Sequence, residues 1–166
     1  TWGRRVNTSI WTKVCTLRGI HEPERLLHFV QEKNLIRIDA EFWEFEEPLM
    51  RQACLERARE LGELPGYHRS ISEALVDSNE VDDARKARHD FGGGLHEVAC
   101  PKLLDLMEVY LATAQMGLAN EVMEQIQICL DRLALPVSHP WVGRAEFVEL
   151  QLKFEAKKAA MALKPM

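Results

Sequence analysis

A helix, a short break and a second helix occur twice in this chain, once near each end. Apolar residues at helical spacing indicate helices over about residues 10–19 and 22–33, and again over about 103–112 and 118–133. Gly19 ends the first helix of one pair, and Gly117 lies in the break of the other. Because each helix has one apolar face that must be buried, each pair is predicted to fold as an antiparallel helical hairpin.

Helical spacing also recurs between and after these two segments, so we predict an all-α fold. Antiparallel helical hairpins would stack as a short or degenerate α-solenoid of about seven or eight helices. Four segments are expected: an irregular N-terminal arm at residues 1–9, a first helical sub-bundle at 10–91, a glycine-rich break at 92–100 and a second helical sub-bundle at 101–166. Folds of this kind usually bind other macromolecules.

The stretch from residue 35 to 48 has a mixed pattern. Residues 35–38 alternate briefly as in a strand, but no second strand was identified to pair with them, so we predict a loop. Asp39 is predicted to cap a helix over 40–47 that carries acidic and aromatic residues. Pro48 then either kinks this helix or starts a new one.

Composition restricts the class of function. The formal net charge of the 166 residues is -5, which disfavours a dedicated nucleic-acid binder, although Lys153, Lys157, Lys158 and Lys164 could form a local basic stripe. No apolar run approaches the roughly 20 residues needed to span a bilayer. The four cysteines are widely separated and form no CxxC pair, so we expect reduced, buried thiols rather than a zinc ribbon or a dithiol redox motif.

Parts of both hairpins resemble pentatricopeptide and tetratricopeptide repeats. Residues 19–29 look like the turn and second helix of a pentatricopeptide unit, residues 34–39 look like its outgoing loop, and residues 116–123 are similar to the turn and second helix. The resemblance implies stacked helical hairpins with a macromolecular partner. It also implies an organellar assembly, such as a mitochondrial ribosome or a respiratory complex, with the mitochondrial matrix favoured over the cytoplasm. No base-reading positions of the family are recognisable, so no RNA-contact residues are implied.

Titratable side chains gather around the three consecutive glycines. His89, Asp90 and His96 carry imidazole and carboxylate groups that suit a divalent metal. Their spacing matches no established metal motif, and the favoured interpretation is a solvated loop. We predict no cofactor and no catalytic residues.

Aromatic and basic side chains supply the candidate partner-binding residues. The aromatic residues of the predicted helix over 40–47 could anchor it in the core or form a docking surface. The lysines of the last helix could contact RNA or a membrane surface, or could simply favour the negative end of the helix dipole. The full candidate set is Trp2, Arg4, Arg5, Phe42, Trp43, Phe45, Lys153, Lys157 and Lys158.

The chain begins at Thr1, so this start is expected to be either processed or truncated.

These observations favour a non-catalytic scaffold or accessory subunit that docks into a larger macromolecular assembly. Protein subunits are the expected partners and RNA is secondary. Two alternatives remain open. One is an RNA-binding helical-repeat protein, and the other is a small metal-dependent helical enzyme that uses His89 and His96.

Overall fold

The computed structural model describes residues 5–76 and 83–162, and within these ranges the chain is mostly helical. The chain divides into two compact units, unit 1 at residues 1–82 and unit 2 at residues 83–166. The predicted boundary at 92–100 differs from this division, because the helix before the glycines packs on the helix that follows them. None of the helices in the described ranges is long and apolar enough to cross a membrane.

Unit 1 combines helices with a small sheet. Its elements are β1 (Val6–Asn7), α1 (Thr8–Leu17), α2 (Pro23–Glu32), β2 (Ile36–Asp39), β3 (Phe42–Phe45), α3 (Pro48–Glu60) and α4 (Leu64–Val76). The start of α1 follows from capping, since the Asn7 side-chain oxygen accepts hydrogen bonds from the backbone N–H groups of Ser9 and Ile10. Pro48 starts a new helix, which settles the choice left open by the sequence.

The sheet corrects the all-α prediction. Its strands are antiparallel in the order β1-β3-β2, and Ile38 and Val6 both pair with Trp43. The predicted loop at 35–38 and the predicted helix at 40–47, capped by Asp39, are therefore both wrong. The predicted irregular arm is also wrong for residues 6–9, which form β1 and the start of α1. The reason is a two-residue turn at residues 40–41, which brings two short alternating runs into register.

The core of unit 1 consists of two separate clusters. In the first, the apolar face of α1 is buried against α4, so α1 does not form a tight hairpin with α2. The members of this cluster are Ile10, Val14, Ile71, Ala74 and Leu75. In the second, α2 packs on the sheet; its buried members are Val6, Leu27, Ile36 and Trp43. No side chain of α3 is buried.

Unit 2 is entirely helical over its described residues. Its elements are α5 (Asp83–Gly92), α6 (His96–Ala112), α7 (Met116–Leu133) and α8 (Pro140–Ala162). Each helix packs on the next, and α6 also packs on α8. The hairpin predicted near the C-terminal end is confirmed as α6 and α7. The predicted glycine-rich break at 92–100 is wrong in extent, because α6 already begins at His96 and buries Ala99 and Cys100 in the core.

One hydrophobic cluster forms the core of unit 2. It takes residues from all four helices, and those that are fully enclosed include Leu103, Leu104, Met107, Val122, Ile126 and Val148. Eight helices and three strands in all occur in the described part of the chain.

Candidate functional site

The longest helix of unit 2 has two apolar faces, and only one of them is buried. Ala145, Val148 and Leu152 of α8 pack into the core. The side chains two positions after each of these residues lie on a different face of α8, because two helical residues turn the chain by about 200°. As a result, the side chains that remain exposed are Phe147 at 60%, Leu150 at 65% and Phe154 at 66%.

These exposed side chains form one wall of a groove, which we call the α6–α8 groove. The opposite wall is formed by Glu108, Leu111 and Ala112 of α6, and the groove encloses about 800 Å³. The described residues that line the groove are Glu108, Leu111, Ala112, Phe147, Leu150, Gln151, Phe154 and Glu155. The charged residues among these are both acidic, and each is already paired, Glu108 with Arg144 and Glu155 with Lys158. The apolar side chains of the lining let the groove accept an apolar segment.

An arginine joins the two helices at the edge of this groove. Arg144 of α8 donates to the Asp105 carboxylate at 2.7 Å and to the Glu108 carboxylate at 2.8 Å, both on α6. The pKa of the Arg144 guanidinium is raised, chiefly by its hydrogen bond to Asp105. This pairing keeps α8 in register with α6, which fixes the positions of the exposed rings along the groove.

The lysines predicted as a basic stripe are mostly engaged within α8. Lys153 lies 2.5 Å from the Glu149 carboxylate, and Lys158 lies 3.5 Å from the Glu155 carboxylate. Lys157 has no ion pair with any described residue. Lys164 lies outside the described residues. Because two of these lysines are partly neutralised by glutamates one turn away, α8 offers little free positive charge to a phosphate backbone.

The aromatic candidates of residues 42–45 belong to the sheet of unit 1. Trp43 is buried, and Phe45 packs against its ring with the ring centroids 5.4 Å apart. Phe42 lies on the other face of β3, beneath the guanidinium of Arg5 at 4.9 Å, and Arg5 also donates to the Asp39 carboxylate at 2.7 Å. Of the predicted N-terminal contacts, Trp2 and Arg4 lie outside the described residues.

The predicted metal candidates take part in packing and ion pairs. Asp90 is 1% exposed and forms ion pairs with Lys102 at 2.7 Å and with Lys86 at 3.5 Å. His89 is buried in α5, and the His96 ring contacts the Cys129 sulfur at 3.6 Å. Nowhere in residues 5–76 and 83–162 do three or more His, Cys, Asp or Glu side chains gather as a metal-binding group.

Two of the three buried cysteines, Cys15 and Cys129, have raised pKa values, whereas the hydrogen bond with Cys129 lowers the pKa of Cys100. Burial, together with the nearby Glu24 carboxylate, raises the pKa of Cys15 to about 11. The hydrogen bond between Cys129 and Cys100 raises the pKa of Cys129, and burial acts in the same direction. A thiol must lose its proton to act as a nucleophile, so Cys15 and Cys129 are poorly suited to covalent catalysis. Cys54 is the exposed cysteine of the chain.

A cavity in unit 1 was missed by the sequence analysis. It encloses about 420 Å³ between the sheet, α1, α3 and α4, and we call it the unit 1 cavity. Burial lowers the pKa of His68, one of the residues in its wall. The described residues that line it are Val6, Trp11, Trp43, Phe45, Arg51, Cys54, Leu55, Ala58, Arg59, Leu64, Tyr67, His68 and Ile71. The available signal is a pair of short runs, residues 36–39 and 43–46, in each of which apolar and charged residues alternate, and together they indicate the hairpin that forms one wall.

Comparisons with protein-family models, with curated proteins and with solved structures found no match to this chain.

Proposed function

We propose that this protein is a non-catalytic scaffold or accessory subunit that docks into a larger assembly through the α6–α8 groove. The observation that carries the proposal is the row of exposed apolar side chains formed by Phe147, Leu150 and Phe154. Large exposed apolar patches on soluble folds commonly mark interaction sites. In this proposal the helices of unit 2 act as a short α-solenoid, and adjacent helices of the array form the binding surface.

The proposed occupant is an amphipathic helix of a protein subunit. Such a helix presents apolar anchors at intervals of three and four residues, which matches the spacing of the exposed residues along α8. The resemblance to pentatricopeptide-type repeats favours an organellar assembly, with the mitochondrial matrix as the proposed compartment.

The test is an affinity purification from native extract, with and without ribonuclease, followed by identification of the captured subunits. Purified wild-type protein is then titrated against the identified subunit. The doubly substituted variant Phe147→Ala/Phe154→Ala removes both rings of the groove. Phe29→Ala is the matched control, because Phe29 is similarly exposed at 56% but lies on α2.

Removing a central interface aromatic usually costs about 2 kcal/mol or more, so each ring should account for roughly a thirty-fold change in Kd. We expect ribonuclease-resistant capture, with binding lost in the double variant and retained by Phe29→Ala. Equal binding by both variants would refute the groove as the docking site. Partners that disappear after ribonuclease treatment would favour the RNA-binding alternative instead, and self-association detected by sedimentation would identify a second copy as the occupant.

A further inference from the structure

We propose that unit 1 binds a small organic anion, an aromatic carboxylate, in the unit 1 cavity. A volume of about 420 Å³ lies within the range of about 300–1,000 Å³ that is typical of small-molecule sites. The inference does not depend on the docking function, because the described residues that line this cavity all belong to unit 1.

The helix that covers the cavity turns one face toward it, with apolar residues at the centre of that face and an arginine toward each end. Residues 51, 54, 55, 58 and 59 of α3 all line the cavity, and this spacing places them on one helical face. An amphipathic helix normally buries such a face, yet no side chain of α3 is buried. Atoms that face a void lose dispersion contacts, and a bound apolar ring would restore them for Leu55 and Ala58.

The wall opposite α3 is aromatic. Trp43 contacts Trp11 edge-on with the ring centroids 6.0 Å apart, and it contacts Phe45 edge-on at 5.4 Å. Trp43 and Phe45 both line the cavity because alternate residues of β3 face the same side of the sheet. Aromatic walls favour a flat aromatic ligand, since aromatic rings pack well edge-to-face and in offset stacks.

A buried hydrogen-bond donor in the same wall has no acceptor among the residues that the structure describes. Trp43 is 9% exposed, and its indole Nε1 has no hydrogen-bond partner among the described residues. Buried indole N–H groups usually find an acceptor, because leaving one unpaired costs free energy. A ligand oxygen is one group that could satisfy it, and this is a second, independent indication of an acceptor-bearing ligand.

The charge of the lining selects an anion. Arg51 and Arg59 lie toward the two ends of the α3 face that lines the cavity, and none of the described residues of the lining is an aspartate or a glutamate. The side chain of Arg59 forms no hydrogen bond or ion pair within the described part of the chain. Neighbouring carboxylates are engaged elsewhere: Glu60 pairs with Arg57 at 3.2 Å, and Glu63 accepts from the Tyr67 hydroxyl at 3.1 Å. An arginine fork matches the geometry of a carboxylate, so Arg59 is the residue assigned to it.

The experiment uses naphthalene-1-acetate as the probe and naphthalene-1-acetamide as its neutral counterpart, which has the same apolar body. Binding to the full chain is measured by calorimetry. Occupancy of the cavity is followed by the rate at which iodoacetamide alkylates Cys54, because Cys54 lines the cavity and is exposed whereas the other cysteines are buried. We expect saturable binding of the carboxylate, slower alkylation of Cys54 and at least tenfold weaker binding of the amide.

Three variants make the test specific. Arg59→Gln should weaken binding of the carboxylate at least tenfold, whereas Arg57→Gln, on the same helix but outside the lining, should leave it unchanged. Ala58→Trp should fill the cavity and abolish binding, with circular dichroism confirming that the variant is folded. The Phe147→Ala/Phe154→Ala variant should bind the carboxylate like the wild type, which separates this site from the α6–α8 groove.

Three results would each overturn the proposal. One is the absence of saturable binding of the carboxylate at millimolar concentration. The second is equal affinity for the carboxylate and the amide, which would remove the anion from the proposal. The third is binding outside the cavity. It would be recognised if binding left the alkylation rate of Cys54 unchanged, or if Arg57→Gln and Arg59→Gln weakened binding equally.

Discussion

The buried carboxylate of unit 2 provides a direct test of what holds α5 against α6. Asp90 of α5 is 1% exposed, and its two oxygens lie 2.7 Å from the Lys102 ammonium and 3.5 Å from the Lys86 ammonium. Lys102 belongs to α6, so the shorter pair joins the two helices. The substitution Asp90→Asn keeps the shape of the side chain and removes only its charge.

The expected loss can be estimated from burial. Removing one member of a buried ion pair usually costs about 3–5 kcal/mol, because the remaining charge is left without compensation. The lysine side chains are 25% and 29% exposed, so water partly solvates them after the substitution. We therefore expect a loss near the lower limit, about 3 kcal/mol in the free energy of unfolding.

Urea denaturation followed by circular dichroism measures this loss. With a slope of about 1–3 kcal/mol per M urea, the midpoint should fall by roughly 1–3 M. Asp105→Asn is the matched control: Asp105 accepts from Arg144 at the same 2.7 Å but is 69% exposed. An exposed pair contributes at most about 1 kcal/mol. Equal losses in the two variants would refute the argument that burial sets the strength of the Asp90 contacts.

Two further predictions concern backbone conformation and pH. Ala134 ends α7 with a left-handed φ of 48°, which strains a residue that has a Cβ atom, so Ala134→Gly should stabilise the protein by about 0.5–1 kcal/mol. In contrast, Ala156→Gly, at an exposed position inside α8, should lower the free energy of unfolding by about 1 kcal/mol. Urea midpoints measure both variants. A destabilised Ala134→Gly variant would contradict the reasoning. Burial lowers the pKa of His68 below its usual value of 6.5, so the unfolded chain takes up this proton at a higher pH than the folded protein does. The free energy of unfolding should therefore fall as the pH is lowered through about 6.5. The substitution His68→Gln should make this fall shallower. Urea midpoints measured between pH 7.5 and 5.5 test this, with a substitution at the exposed His28, His28→Gln, as the control.

The helices could be predicted from the sequence because their signals are local. Pro23, Pro48 and Pro140 each lie at the start of a helix, where a missing N–H group is tolerated. The apolar spacing of residues 118–133 fits one helix, and α7 covers all of these positions. Such signals need only neighbouring residues, so a single sequence carries them.

The sheet could not be predicted from the same signals because its pairing is not local. β1 lies beside β3 even though the two are separated in sequence by α1, α2 and β2. The turn between β2 and β3 uses Ala40 at a φ of 47°, and alanine gives no indication of a turn in the way that glycine or asparagine would. Since the unit 1 cavity has this sheet as one wall, missing the hairpin meant missing the cavity as well.

The exposed face of α8 shows a different limit of sequence patterns. The buried set Ala145, Val148 and Leu152 and the exposed set at 147, 150 and 154 have the same spacing of three and four residues, offset by two. Side-chain size alone would favour burying the set with two phenylalanines, but packing on α6 and α7 buries the set with the smaller side chains. Leaving a large apolar side chain in water forgoes about 1.5–3 kcal/mol that its burial would contribute. A partner that covers Phe147, Leu150 and Phe154 could recover this free energy, and this is the physical argument for docking at the α6–α8 groove.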